Sequence, residues 1–191
     1  MNNSLLTSSC HLGSEIRPFE YQGHPPLKIR IHTITNYYYI KNFSLLFKIS
    51  AVLWIIWGLV HILAGVMTMN GVLTDDISAS VSGIADAVEP STLQMDYPAA
   101  AGAIIGQHGF NLLWIGLVTF LAAFYVWGGN ANAIFLAAIT GGLADLGYFL
   151  FLDLGGFVKF VPGTLMTLVS SAAIITSFVA HFRGRNSVED A

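Results

Sequence analysis

Four stretches of this chain stay apolar for about twenty residues or more, and polar or glycine-rich segments separate them. They run over about 45–69, 99–127, 132–152 and 162–182. Each is close to the ~20 residues that carry a helix across ~30 Å of hydrocarbon at about 1.5 Å per residue. The second is long enough to tilt or to begin outside the hydrocarbon. Pro162 stands where proline suits the first turn of a helix. In lipid the backbone must satisfy its own hydrogen bonds, so only helices or a closed barrel can span. Continuous apolar runs of this length are not the short alternating strands of a barrel. The pattern therefore predicts an all-α integral membrane four-helix bundle over 44–182, following an antiparallel up-down-up-down path.

The intervening segments are of different kinds. Residues 1–43 mix Ser, Asn, His, Pro and charge without useful periodicity, and read as a polar cytoplasmic tail. That tail ends in an interfacial anchor of Tyr37, Tyr38, Tyr39 and Lys41. Residues 70–98 form an acidic loop. Within it Ile77, Val81, Ile84 and Val88 fall at helical spacing, compatible with a short interfacial helix and equally with a solvated loop. Gly128, Gly129 and Asn130 make a short uncharged turn that pairs the second and third spans tightly. Asp153 to Val161 makes the third connection, and residues 183–191 a second cytoplasmic tail.

Charge orients this path. The chain has 8 Lys and Arg against 11 Asp and Glu. All the basic residues except Lys159 lie in or beside the terminal segments, as Arg17, Lys28, Arg30, Lys41, Lys48, Arg183 and Arg185. The 70–98 loop holds Asp75, Asp76, Asp86, Glu89 and Asp96 and no basic residue. The positive-inside rule then puts both termini in the cytoplasm and that loop outside, the arrangement expected in a bacterial inner (cytoplasmic) membrane. With 54% hydrophobic and only 10% charged residues, the chain needs the lipid bilayer as its first partner. A homo-oligomer or a membrane-complex partner is compatible with this composition. Nucleic acid is excluded, because no basic patch is interleaved with aromatics. The single cysteine, Cys10, excludes an internal disulfide and any paired-cysteine redox or zinc motif.

Candidate chemistry lies in the polar residues of the spans. At about 100° per residue, Ser50, Trp54, Trp57 and His61 fall within about 60° of one another on the first helix. On the second, His108, Asn111 and Thr119 share a face. The third carries Asp145, with Gly141, Gly142, Tyr148 and Phe149 a turn away, and the fourth carries Thr164, Thr167 and Ser171. Counted from the helix ends, His61, His108 and Asp145 all come to lie roughly 10 Å below the outer surface, so a single cluster of buried histidines and a carboxylate is expected. Such groups are expensive in hydrocarbon and mark a functional site by default. The plainer alternative is interhelical glue, worth about 0.6 kcal/mol per bond. The hydroxyls are expected to satisfy their own helix backbone. Gly102 with Gly106, and Gly58 with Gly65, are expected to bring helices close. Trp54 and Trp57 suit packing better than stacking on a ligand.

Several functions fit. His61 and His108 on facing helices could be axial ligands of haem b in an electron-transfer subunit. With Asp145 they make a 2-His-1-carboxylate set for a transition-metal enzyme, although no local metal motif supports it. The same three residues could relay protons or solute. The favoured expectation is a non-catalytic membrane subunit or small-ligand-binding bundle, its ligand-binding or proton-relay residues being His61, His108, Asn111, Asp145, Trp57 and Tyr148. Serine or cysteine hydrolase chemistry lacks a nucleophile motif.

Overall fold

A computed structural model describes the backbone of residues 27–189 and the side chains of residues 44–184. Residues 1–26 and 190–191, and the anchor side chains of Tyr37, Tyr38, Tyr39 and Lys41, lie outside the described residues. Among the described residues the protein is all-helical and has no strand. The elements are α1 (Leu27–Leu73), α2 (Ile77–Ile84), α3 (Pro90–Leu93), α4 (Ala99–Trp127), α5 (Ala131–Tyr148) and α6 (Leu165–Glu189). A wide π-type turn at Phe149–Asp153 continues α5, and another at Phe160–Thr164 leads into α6.

Four helices are long and apolar enough to cross a membrane, at Ser44–Leu73, Ala99–Trp127, Ala131–Asp153 and Phe160–Gly184. These lie within a few residues of the four runs read from hydropathy. The first helix differs most, since α1 starts at Leu27, inside the segment that reads as tail. Once a span has nucleated a helix, each further residue adds one hydrogen bond, so extension needs no apolar periodicity of its own.

Local signals account for the boundaries. The α4–α5 turn passes through Gly129 at φ 75°, a left-handed conformation that glycine adopts without a Cβ penalty. Asn130 then caps α5, its side chain accepting from the Ala133 backbone N–H at 3.1 Å. Asp76 caps α2 in the same way through Ala79 N–H at 3.0 Å. Of the two expectations for the 70–98 loop, the short helix is therefore the one found. Before α6, Val161 is extended (φ −115°, ψ 125°), as the residue preceding Pro162 is biased to be.

Helix α1 is the centre of the packing. It lies most extensively along α4 and next along α6, while α5 completes the ring between α4 and α6. Two reciprocal glycine contacts hold α1 on α4. A Cβ at Gly65 would sit 2.6 Å from Gly109 O, and one at Gly58 would sit 2.9 Å from Gly116 O. The converse holds at Gly109 and Gly116, where a Cβ would sit 3.1 and 2.8 Å from the opposite carbonyls. The Gly102–Gly106 step does not make this contact. A Cβ at Gly102 would meet only the tip of Ile77, and at Gly106 the Val72 side chain at an ordinary 3.5 Å. Gly109 and Gly116, seven residues apart like Gly58 and Gly65, replace it. At the Gly128–Asn130 end the helices close over Ala51, Trp54, Ala122, Val126, Ile134, Ala137 and Ala173, all buried.

Candidate functional site

At the other end of the bundle, between the second half of α1, the start of α4, the end of α5, the start of α6 and the short helix α2, lies a cavity of about 550 Å³. Its walls are mainly apolar, with Val60, Leu63, Ala64, Leu112 and Met166 among them. Its polar lining includes His61, His108, Asp145 and Tyr148. Four residues singled out from the sequence, drawn from three different helices, thus share one cavity.

The most closely connected part is a three-residue assembly of α1 and α5. Trp57 and His61 are one turn apart on α1, and their rings stack with centroids 3.6 Å apart and planes 20° from parallel. Trp57 is fully buried, and its Nε1–H donates to Asp145 Oδ2 at 2.7 Å. His61 Nε2 lies 3.7 Å from the other carboxylate oxygen, Oδ1. Asp145 is 4% exposed, so its charge meets protein rather than solvent. Gly141, one turn earlier on α5, makes this approach of the two helices possible. A Cβ there would stand 2.6 Å from the Trp54 ring, which packs edge-to-face on Trp57. Ser170 on α6 adds a hydroxyl beside the Asp145 carboxyl.

Hydrogen-bond accounting restricts where protons can sit. His61 Nδ1 is 2.9 Å from Trp57 O, a carbonyl that can only accept, so Nδ1 carries the hydrogen. In a neutral ring, Nε2 then presents a lone pair toward Asp145 Oδ1. Oδ2 accepts from Trp57, and the space between Nε2 and Oδ1 is where an exchangeable proton or a ligand's donor would reach both side chains. At 3.7 Å the two atoms must close by roughly 0.5–1 Å to bond directly.

The other expected residues are placed differently. Asn111 does not line the cavity. Its Oδ1 accepts from Trp114 Nε1 at 3.1 Å on an exposed part of α4, so a bond along its own helix draws it away from His108. Trp57 lies behind the cavity wall and reaches it only through Asp145 and His61. His61 is partly rather than fully buried, its side chain 13% exposed, because it faces the cavity. Among the described residues, no three His, Cys, Asp or Glu side chains come together as a metal site would require. The expected set of His61, His108 and Asp145 is accordingly a His–Asp pair, with His108 elsewhere on the wall. The geometry adds no support for haem, since His61 Nε2 faces a carboxylate.

On α6, Ser171 does donate to its own helix, at 2.7 Å to Thr167 O. Thr164 and Thr167 donate instead to the two oxygens of Asp153, at 2.5 and 3.4 Å, and tie the end of α5 to the start of α6. Two polar residues of this end are not among those expected from the sequence: Ser80 on the α2 wall, buried and donating to Thr68 O at 3.2 Å, and buried Ser170. Ser170 had a usable signal, because Thr164, Thr167 and Ser170 are spaced by three. The polar contact from α2 had none, since it depends on how the loop folds back.

Comparison of the chain with protein-family models, with curated proteins and with solved structures finds no match.

Proposed function

We propose that this is an integral membrane protein that binds a small, largely apolar molecule, whose polar end lies against His61 and Asp145. The observation that carries this is the cavity, about 550 Å³ with mainly apolar walls and convergent polar groups on one side. A pocket of that size and composition is what small-ligand sites have. A titratable pair placed within membrane-spanning helices is costly unless used.

The antiparallel path is supported by the descending order of contacts, Gly58 with Gly116 and Gly65 with Gly109. Bonding between the two longer connections supports it too, through Ala87 N–H to Phe157 O at 3.0 Å and Lys159 N–H to Asp86 Oδ1 at 2.7 Å. Cytoplasmic termini follow from the positive charge beside them, and the cavity then lies in the outer half of the membrane.

The test is mass spectrometry of organic extracts from protein purified in mild detergent. A molecule retained by the wild type and lost from a cavity-filling Ala64→Trp variant supports ligand binding. Identical extracts argue against it. A second function, proton transfer, is favoured specifically by the proton position between His61 Nε2 and Asp145 Oδ1. Equal proton flux through vesicles containing wild type or Asp145→Asn would exclude it.

A further inference from the structure

Charge says more about what this cavity holds. Its lining includes two carboxylates, Asp76 and Asp145, and neither lysine nor arginine. The connections around this end add Asp75, Asp86, Glu89, Asp96 and Asp153, against Lys159 as the one basic residue between positions 70 and 161. A field of this sign concentrates cations and repels anions. It repels most where water is scarce, beside the buried Asp145 carboxyl.

The donor pattern points the same way. Trp57 satisfies Asp145 Oδ2, and the Trp57 carbonyl fixes the hydrogen on His61 Nδ1. Beside the Ser170 hydroxyl, two acceptors, Asp145 Oδ1 and neutral His61 Nε2, face each other 3.7 Å apart. A nitrogen placed about 2.9 Å from each fits that spacing. A protonated primary amine has the three donors to serve both acceptors while neutralising the carboxylate. A hydroxyl has one donor, and a carboxylate or phosphate has none.

Building on the ligand-binding function above, we infer that the cavity takes a lipophilic cation. Its ammonium head lies between Asp145 Oδ1 and His61 Nε2, and its apolar body lies along Val60, Leu63, Leu112 and Met166.

The experiment uses the full-length protein in lipid nanodiscs and three probes with one tail: phenylbutylamine, phenylbutanol and phenylbutanoate. Binding is measured by calorimetry at neutral pH, with empty nanodiscs as the partition control. The amine should bind at least about tenfold more tightly than the alcohol, the advantage of a charge-assisted bond, and the carboxylate most weakly. Asp145→Asn, which keeps an acceptor for Trp57, should remove most of the amine's advantage over the alcohol. If the alcohol binds the wild type as well as the amine does, the cation inference falls and ligand binding stands. If no probe binds above the empty nanodiscs, both fall. The wild-type ranking decides by itself should the variant fail to fold.

Discussion

The two ends of this bundle are built from the same four helices and solve opposite problems. At the Gly128–Asn130 end, apolar side chains fill the space between helices, with Ala123, Val126, Ile134 and Ala137 wholly buried, and buried Ser50 Oγ donates across to Ala173 O at 2.8 Å. At the α2 end the helices enclose a cavity and are held by side-chain bonds, Trp57 to Asp145, Ser80 to Thr68, and Thr164 with Thr167 to Asp153. Apolar surface gives helices no reason to prefer one another over lipid, so the first end depends on close fit. The second depends on polar groups that have few alternatives to pairing. Close-fitted contacts, those of the filled end and the glycine contacts of α1 with α4, should therefore tolerate no added volume, whereas the cavity wall should tolerate volume and the bonds around it should resist loss.

Substitutions test that contrast, all read as thermal unfolding in one detergent. Gly65→Val should have the largest effect, about 3 kcal/mol or more, because its Cβ meets backbone rather than a movable side chain. A near-normal melt would mean that α1 and α4 are not in close contact. Next comes a matched pair. Ala137→Leu at the filled end should cost about 2 kcal/mol, while Ala64→Leu in the cavity wall should cost under about 0.5 kcal/mol. Equal costs would erase the distinction between the ends. Asp145→Ala should cost about 1.5 kcal/mol more than Asp145→Asn, since only alanine leaves Trp57 Nε1 buried without an acceptor. If asparagine proves as damaging, the negative charge rather than the hydrogen bond holds this end. Gly147→Ala should have the smallest effect, a gain of about 0.5 kcal/mol from helix propensity, because an added Cβ there meets nothing within 4 Å.

The spans were readable because length and hydropathy fix them independently of tertiary contacts. The inward stripe of Ser50, Trp54 and Trp57 was readable too, since helical period alone puts them on one face, and all three are fully buried. Counting residues from the helix ends also brought His61, His108 and Asp145 to one depth. Depth does not give azimuth or reach, however, so it could not tell that His61 pairs with Asp145 while His108 stands apart. Nor could it show Asn111 turning to Trp114, or Trp57 reaching across to α5. The Gly102–Gly106 step misled for a related reason. Spacing says that a face is flat, and only the partner helix says whether that face is used.

The glycine contacts between α1 and α4 have a mechanical consequence. Backbone touches backbone at two levels, with no side chains between to act as bearings, so these two helices form a rigid post. The remaining cavity walls are joined to this post through connections, at α2, the wide turns at Phe149–Asp153 and Phe160–Thr164, and the ends of α5 and α6 beside them, and are where movement is expected. Spin-label distances between α1 and α4 should stay single and narrow, while a label on α2 reports a spread. For the ligand proposed above, entry on the α2 side would leave the contact of α1 with α4 intact.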